Sequence, residues 1–406
     1  MLYPIPVSEK VRDRLAEIFA GYELRFVGGA CRDSVFARLY PDRAVPHKDV
    51  DLATTATPNE MLELAQKHNV HVIPTGLAHG TLSFVLFGET YEITTLRIDT
   101  ETDGRHAEVE YTTDWELDSA RRDFSINSMS MSLQGEMFDY HGGEQDLRDG
   151  IVRFVGAADD RIQEDFLRAI RWFRFDGRYR RFPAEAALDL TVDHDALTAI
   201  QKNAHGLQGI SGERIWSEMA KILQHPSAPQ VIALMDQTGV FPHMGIQTNG
   251  WEPRTDQLEA IQDLTTNPVT RLAAVFFGRQ TKFFSERWKV SREEFDLYNF
   301  LVNSRGEYTL SEIKQIALRH GLSWAIELAA LHDDRASYWY LQDWELPVFP
   351  VGGRDLIERG VVPGPQMGAM LERMKTLWAK SDYRMSREEL LGHPQTTADL
   401  IRYAVP

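Results

Sequence analysis

Leu24-Arg25-Phe26-Val27-Gly28-Gly29-Ala30-Cys31-Arg32-Asp33, followed further on by Lys48-Asp49-Val50-Asp51-Leu52, is the stretch on which the fold turns. The four residues before Gly28 read as a short strand, and the double glycine ends it just ahead of a helix. Glycines there let backbone amides approach a phosphate closely, and Arg32 adds charge one turn on. In the second, extended segment residues i and i+2 leave one face, so Asp49 and Asp51 present two carboxylates together. Hard oxygen donors in that arrangement suit magnesium that also meets substrate phosphates. The same pair can equally be charge that blunts an exposed strand edge. Glu92, on a later strand, is the candidate third carboxylate, with a solvated face residue as its other reading.

Outward from that stretch the N-terminal third alternates elements. An amphipathic helix (Val11, Leu15, Ile18, Phe19) precedes it, Pro58 opens a helix through Lys67, and residues 81–87 and 90–96 form a hairpin around Gly88-Glu89. Strand, helix, strand, strand marks α/β or α+β architecture. After about residue 155 the strand signals fade. Residues 161–175, 212–223, 257–264, 291–303, 310–320 and 366–378 read as helices. The clearest irregular insertion is residues 40–47, with Pro41, Pro46 and His47.

Composition narrows the class. The chain has 406 residues, a net charge of −16, 43% hydrophobic and 26% charged residues, so it holds two or three globular domains and is neither disordered nor a general nucleic-acid coat. No apolar run reaches membrane-spanning length. Cys31 is the single cysteine, which excludes an internal disulfide. The N-terminus has no basic segment before an apolar one and carries Glu9, Asp13 and Glu17 early, so a cytoplasmic location is expected.

Three further groups carry chemistry. Arg121-Arg122-Asp123-Phe124-Ser125-Ile126-Asn127 offers guanidinium forks for phosphate and polar groups for a ribose, or a salt-bridged helix surface. Asp139-Tyr140-His141-Gly142-Gly143 reads as a tight turn, a hinge or scaffold. Residues 151–181 hold eight arginines against five acids, a local +3. Within them Glu164, Asp165, Arg168 and Arg171 share a helix at i, i+3 and i+4 spacings, opposite an apolar stripe of Ile162, Phe166, Ile170 and Phe173.

Taken in order, GGACRD with Asp49 and Asp51, RRDFSIN, DYHGGEQDL, EDFLRAIR and GISGERIWSEMAKIL resemble the five motifs of class II tRNA nucleotidyltransferases, the CCA-adding enzymes. Those enzymes share a DNA polymerase β-like nucleotidyltransferase head with bacterial poly(A) polymerases. The resemblance covers roughly residues 22–225. It implies an α+β fold: a head at 1–150 with a mixed sheet and helices, then an all-helical neck at 151–225, body at 226–305 and tail at 306–406. It implies that Asp49 and Asp51 are the catalytic pair and bind Mg²⁺. Gly28, Gly29, Arg32, Asp33, Arg121, Arg122, Asp123, Asn127, Asp165, Arg168 and Arg171 would contact the nucleotide, with Asp165 and Arg168 as the protein template. Residues 94–106 resemble the flexible loop of the family.

The chemistry of the template follows. A carboxylate accepts from an exocyclic amine and a guanidinium donates to an unprotonated ring nitrogen; adenine and cytosine offer both, whereas guanine and uracil offer the opposite polarity. The partners implied are tRNA, ATP and CTP, and no obligatory protein partner is evident. Poly(A) synthesis, addition of the terminal A alone, and an inactive RNA-binding module are the rival readings. The poly(A) reading is disfavoured by the acidic balance. Asp-Tyr-His-Gly-Gly departs from the commoner family form, which has Pro after the Asp. His332-Asp333-Asp334 resembles a phosphohydrolase signature, but no upstream histidine cluster accompanies it. RNA binding is expected to rest on shape and on a basic strip around Arg153–Arg181, with Lys202, Arg214, Lys282, Arg287 and Lys289 as further candidates.

Overall fold

The computed structural model describes residues 2–43, 50–77, 80–102, 107–180, 192–247, 252–276, 283–304, 306–396 and 398. The chain forms two compact units: residues 1–222 with 230–251, and residues 223–229 with 252–406. Asp49, one of the two expected catalytic carboxylates, lies outside the described residues, as do Pro46, His47, Arg181 and Lys282.

The first unit opens with α1 (Glu9–Ile18), β1 (Leu24–Val27) and α2 (Gly29–Leu39), then β2 (Asp51–Thr54), α3 (Pro58–Lys67), β3 (His71–Gly76), β4 (Thr81–Leu86) and β5 (Glu89–Thr95). Next come β6 (Arg97–Thr102), β7 (Ala107–Tyr111), α4 (Trp115–Ala120), α5 (Ser125–Ser128), β8 (Ser130–Ser132), β9 (Met137–Phe138) and α6 (Gly143–Asp149). Seven strands form one mixed sheet in the order β3-β4-β5-β2-β1-β8-β9, in which only β2 and β5 run parallel.

Local chemistry explains these elements. Thr57 and Glu60 close a reciprocal capping box around Pro58, so α3 starts where the sequence says it should. Helix α1 buries Val11, Leu15 and Ile18, and the next residue, Phe19, packs its ring 5.4 Å from Phe84 of β4. The β4–β5 turn falls one residue earlier than expected. Phe87 and Gly88, not Gly88 and Glu89, take the left-handed conformation that a tight hairpin requires, with φ of 55° and 89°. Lys10 covers the exposed Phe87 ring at 3.9 Å, which offsets placing an aromatic there. The segment expected as a loop is in its described part a two-stranded ribbon, β6 paired with β7 from Arg97↔Tyr111 to Thr102↔Ala107.

After the sheet the first unit becomes helical: α7 (Ala158–Glu164), α8 (Leu167–Tyr179), α9 (His194–Asn203), α10 (Gly212–Gln224) and α11 (Ala228–Thr238), except that residues 223–229, where α10 ends and α11 begins, belong to the second unit. The second unit comprises α12 (Thr255–Ile261), α13 (Pro268–Val275), α14 (Arg292–Asn303), α15 (Leu310–His320), α16 (Leu322–Leu331), α17 (Arg335–Gln342), α18 (Gly353–Ile357), α19 (Pro365–Lys380) and α20 (Arg387–Gly392). One core there gathers Leu264, Ile313, Ala317, Ala325, Ala329 and Leu341; another gathers Leu356, Met370, Met374, Trp378 and Leu390.

His332-Asp333-Asp334 is the turn between α16 and α17. His332 Nε2 lies 3.0 Å from the Ser304 carbonyl, and Asp334 caps α17 by accepting from the Ser337 amide at 3.1 Å. Among the described residues no cluster of three metal-ligating side chains forms. No described helix is long and apolar enough to cross a membrane.

Candidate active site

Gly28 joins β1 to α2 with φ 61° and ψ −125°, a conformation in the region that favours glycine. A side chain there would begin 3.6 Å from Nη1 of Arg122 and 3.9 Å from Oδ2 of Asp51. A carboxylate and a guanidinium therefore converge on the glycine turn at the start of a helix. Asp51 heads β2 and pairs in register with Val27 on one side and Glu92 on the other. Register neighbours share a face, so the Asp51 and Glu92 side chains leave the sheet on the same side. Both line an open cleft of about 570 Å³ with Val50, Glu89, Thr90 and Tyr91. Their oxygen-only donor set fits a magnesium ion.

Arg32, one turn into α2, is buried, and its guanidinium is held on several sides. Nε donates to Asp33 at 2.9 Å, Nη1 donates to Asn127 at 2.6 Å, and the Phe175 and Tyr179 rings lie 5.0 and 5.1 Å away. Asn127 in turn donates to Asp123 at 2.9 Å, and Asp123 accepts from Arg171 Nε at 2.9 Å and Nη2 at 2.5 Å. Burial works against the Asp123 charge, yet Arg171 and Asn127 hold its carboxyl below the ordinary value. The RRDFSIN segment is thus part of a connected network with α2 and α8.

Arg121 and Arg122 are fixed by a residue the sequence reading missed. Asp118, only 2% exposed, accepts from Arg121 at 2.9 and 2.7 Å and from Arg122 at 3.2 Å. Burial again opposes ionisation, but Arg122 and Arg121 outweigh it and lower the Asp118 pKa. Its i, i+3 and i, i+4 spacing to the two arginines was the available signal.

The expected continuous helix over residues 161–175 is instead two. Asp165 takes extended φ and ψ of −151° and 103° between α7 and α8. Its side chain is released from the helix, with Oδ1 accepting from the Leu167 amide at 3.1 Å and Oδ2 from Arg214 at 2.7 Å. Asp165 and Arg168 are therefore not paired on a helix face. Arg168 donates to Glu164 at 2.6 Å and to the Arg161 and Arg121 carbonyls at 3.0 and 3.3 Å. Of the expected apolar stripe Ile162, Ile170 and Phe173 are buried, while Phe166 is half-buried, in a notch that exists because residue 206 is glycine.

In its described residues the basic strip is also not an open cationic face. Arg153 meets Asp146, Arg161 and Arg168 meet Glu164, Arg171 meets Asp123, Arg174 meets Glu218, Arg178 meets Asp33 and Arg180 meets Asp176. Arg214, named above for RNA, holds Asp165, and Lys202 pairs with Asp159 at 2.9 Å. The Asp139 turn is a scaffold: its carboxylate accepts from the Gly143 and Glu144 amides at 2.9 Å each, capping α6. A side chain at Gly143 would strike the Ser125 carbonyl at 2.3 Å, which explains the second glycine.

The poly A polymerase head domain family matches residues 24–153, and the probable RNA and SrmB-binding site of polymerase A matches residues 189–245. The crystal structure of the Bacillus stearothermophilus CCA-adding enzyme in complex with CTP has the same fold, at a TM-score of 0.74 and 24% identity over 97% of this chain and 99% of that one. The CCA-adding enzyme of Lactobacillus delbrueckii is 31% identical over 91% of both chains. The mitochondrial CCA tRNA nucleotidyltransferase 1 of Mus musculus is 40% identical over 94% of this chain and 89% of its own length. The α+β fold and the family expected from the motifs both hold: the chain belongs to the CCA-adding tRNA nucleotidyltransferases.

Proposed function

We propose that the chain adds C, C and A in turn to the 3′ end of tRNA, using CTP and ATP and no nucleic-acid template, with release of pyrophosphate. The observation that carries this reading is the convergence of Asp51 and Arg122 on the Gly28 turn, in the same unit that holds Asp165 and Arg168 at a helix break. The Gly28-Gly29 turn admits the triphosphate, and Arg32 and Arg122 donate to its oxygens. Asn127, held by Asp123 and through it by Arg171, fixes Arg32 beside that turn. Asp49, Asp51 and Glu92 would hold Mg²⁺, which when bound supplies positive charge to the triphosphate and acidifies the attacking 3′-hydroxyl. We place the reaction in the cytoplasm; buried, unpaired Cys31 suits a reducing compartment.

Asp165 and Arg168 select the base. Arg168 has five N–H donors, and three go to Glu164, Arg161 and Arg121, which leaves Nε–H and one Nη2 hydrogen for a ring nitrogen. The Asp165 carboxylate, fixed by Arg214, accepts from an amine. Guanine and uracil present a carbonyl and an N–H instead, so both protein groups would be left unpaired.

The direct test incubates tRNAs ending before CCA, after C and after CC with each labelled nucleotide separately. Only CMP, CMP and AMP should enter, in that order. Incorporation of the last A alone would replace this reading with an A-adding one, and long A tracts with poly(A) synthesis. Arg168→Met keeps the bulk and loses the donors. It should reduce the preference for C and A over U and G by roughly ten- to a hundred-fold, the worth of one bidentate contact. Unchanged misincorporation in a single-turnover assay would remove Arg168 from the template.

A further inference from the structure

Helix α8 does more than carry a base-reading residue. Arg168 and Arg171 lie in its first turns, and Tyr179 ends it, eleven residues after Arg168 and about 16 Å along the axis. At that far end the helix reaches the glycine turn's own arginine. The Tyr179 hydroxyl donates to Asp33 Oδ1 at 2.6 Å, the same oxygen that accepts from Arg32 Nε at 2.9 Å. Arg178 stands 3.8 Å from the other Asp33 oxygen. Phe175 and Tyr179 stack on one another at 6.2 Å and 17°, and both rings lie close to the Arg32 guanidinium. With Nε on Asp33 and Nη1 on Asn127, Nη2 faces Gly29, 3.5 Å from where a side chain on that glycine would begin.

We infer that Tyr179, backed by Phe175, is a positioning residue for the triphosphate: it fixes Arg32 so that Nη2 is aimed into the glycine turn before any nucleotide arrives. This rests on the nucleotidyl-transfer reading and deepens it. An arginine side chain has many rotamers, and a guanidinium already immobilised loses less freedom on meeting phosphate. Tyrosine adds what phenylalanine lacks: its hydroxyl donates to the Asp33 oxygen that holds Arg32 Nε, so it fixes the partner as well as covering the guanidinium. One rigid helix thereby sets both ends of the bound nucleotide, the base through Arg168 and the triphosphate through Tyr179.

The test measures pyrophosphate, CTP and ATP binding to the full-length protein by calorimetry, with no RNA present. Tyr179→Leu should weaken all three by a similar factor, roughly ten-fold, since it removes a cation–π face and a hydrogen bond. Tyr179→Phe should fall between it and wild type, and should fold in any case. Turnover at saturating nucleotide should stay within about two-fold, and misincorporation of U and G should not change. In the Arg32→Met background, Tyr179→Phe should have no further effect on pyrophosphate, because it acts through Arg32. Unchanged pyrophosphate affinity in both Tyr179 variants, or effects that add to Arg32→Met, would overturn the inference and leave the nucleotidyl-transfer reading standing. A wild-type protein that binds neither nucleotide nor pyrophosphate would overturn both.

Discussion

Asp51→Asn should lower nucleotide addition by at least about three orders of magnitude while tRNA affinity stays within a few-fold of wild type. The substitution keeps the side chain's size and removes its charge. Asp51 is exposed at the head of β2, so its backbone pairing to Val27 and Glu92 is retained and little packing changes. What is lost is one anionic oxygen pair on the strand face shared with Glu92, where the reaction we propose would bring an anionic triphosphate next to carboxylates. Without that pair the site holds less cation, and the phosphate and the remaining acids repel each other. Single-turnover addition to tRNA ending in CC, beside tRNA binding by filter retention, reads both quantities. Activity within ten-fold of wild type would remove Asp51 from the catalytic pair, and loss of tRNA binding together with activity would make its role structural. Glu92→Gln in the same assay tests the third carboxylate, and a rate within two-fold of wild type would return Glu92 to the solvated strand face.

The sequence carries the site unevenly. The strand Leu24–Val27, the glycine turn and helix α3 are legible because their signals are local: a buried run, a backbone need for glycine, a capping box around Pro58. The split between α7 and α8 is not, because Asp165 leaves the helix for a tertiary partner, Arg214, forty-nine residues away. A 3.6-residue period continues across the break and conceals it. Asp118 and Glu218 escaped for a related reason: each is an acid on a helix whose burial only the fold reveals.

The arginines of residues 151–181 show how composition misleads. Counted along the chain they give a local +3, yet the described arginines are matched by acids, some within the stretch (Glu164, Asp176) and others on other elements, such as Asp33, Asp123, Asp146 and Glu218. A buried guanidinium without acceptors for its N–H groups would carry a heavy desolvation cost. Planar guanidinium forks build a rigid network in little space, which suits the side-chain template we propose. The overall charge of −16 is then compatible with RNA binding through shape and a limited number of phosphate contacts.

Arg271→Met should destabilise the second unit by about 3 to 5 kcal/mol, the scale for breaking a fully buried charged hydrogen-bond set. Arg271 is 2% exposed and sits in the first turn of α13. Nε donates to the Thr265 carbonyl at 2.7 Å, Nη2 to Gln262 at 2.6 Å, and Nη1 to Leu223 at 2.6 Å and His225 at 3.4 Å. Burial lowers its pKa, and the acceptors that compensate are backbone carbonyls drawn from two separate chain segments. One guanidinium thus ties residues 223–225 to the turn after α12. Methionine fills the space but leaves those carbonyls facing apolar neighbours with no donor. Lysine, with three donors on one nitrogen, cannot reach acceptors spread around a planar fork and should recover only part of the loss. Urea unfolding followed by tryptophan fluorescence measures this, and because the chain has two units the transitions are fitted separately. CTP binding, which we assign to the first unit, should survive at urea concentrations where the second unit of the methionine variant has unfolded. A variant that unfolds within 1 kcal/mol of wild type would mean that water takes over the four carbonyls, and that the tie is dispensable.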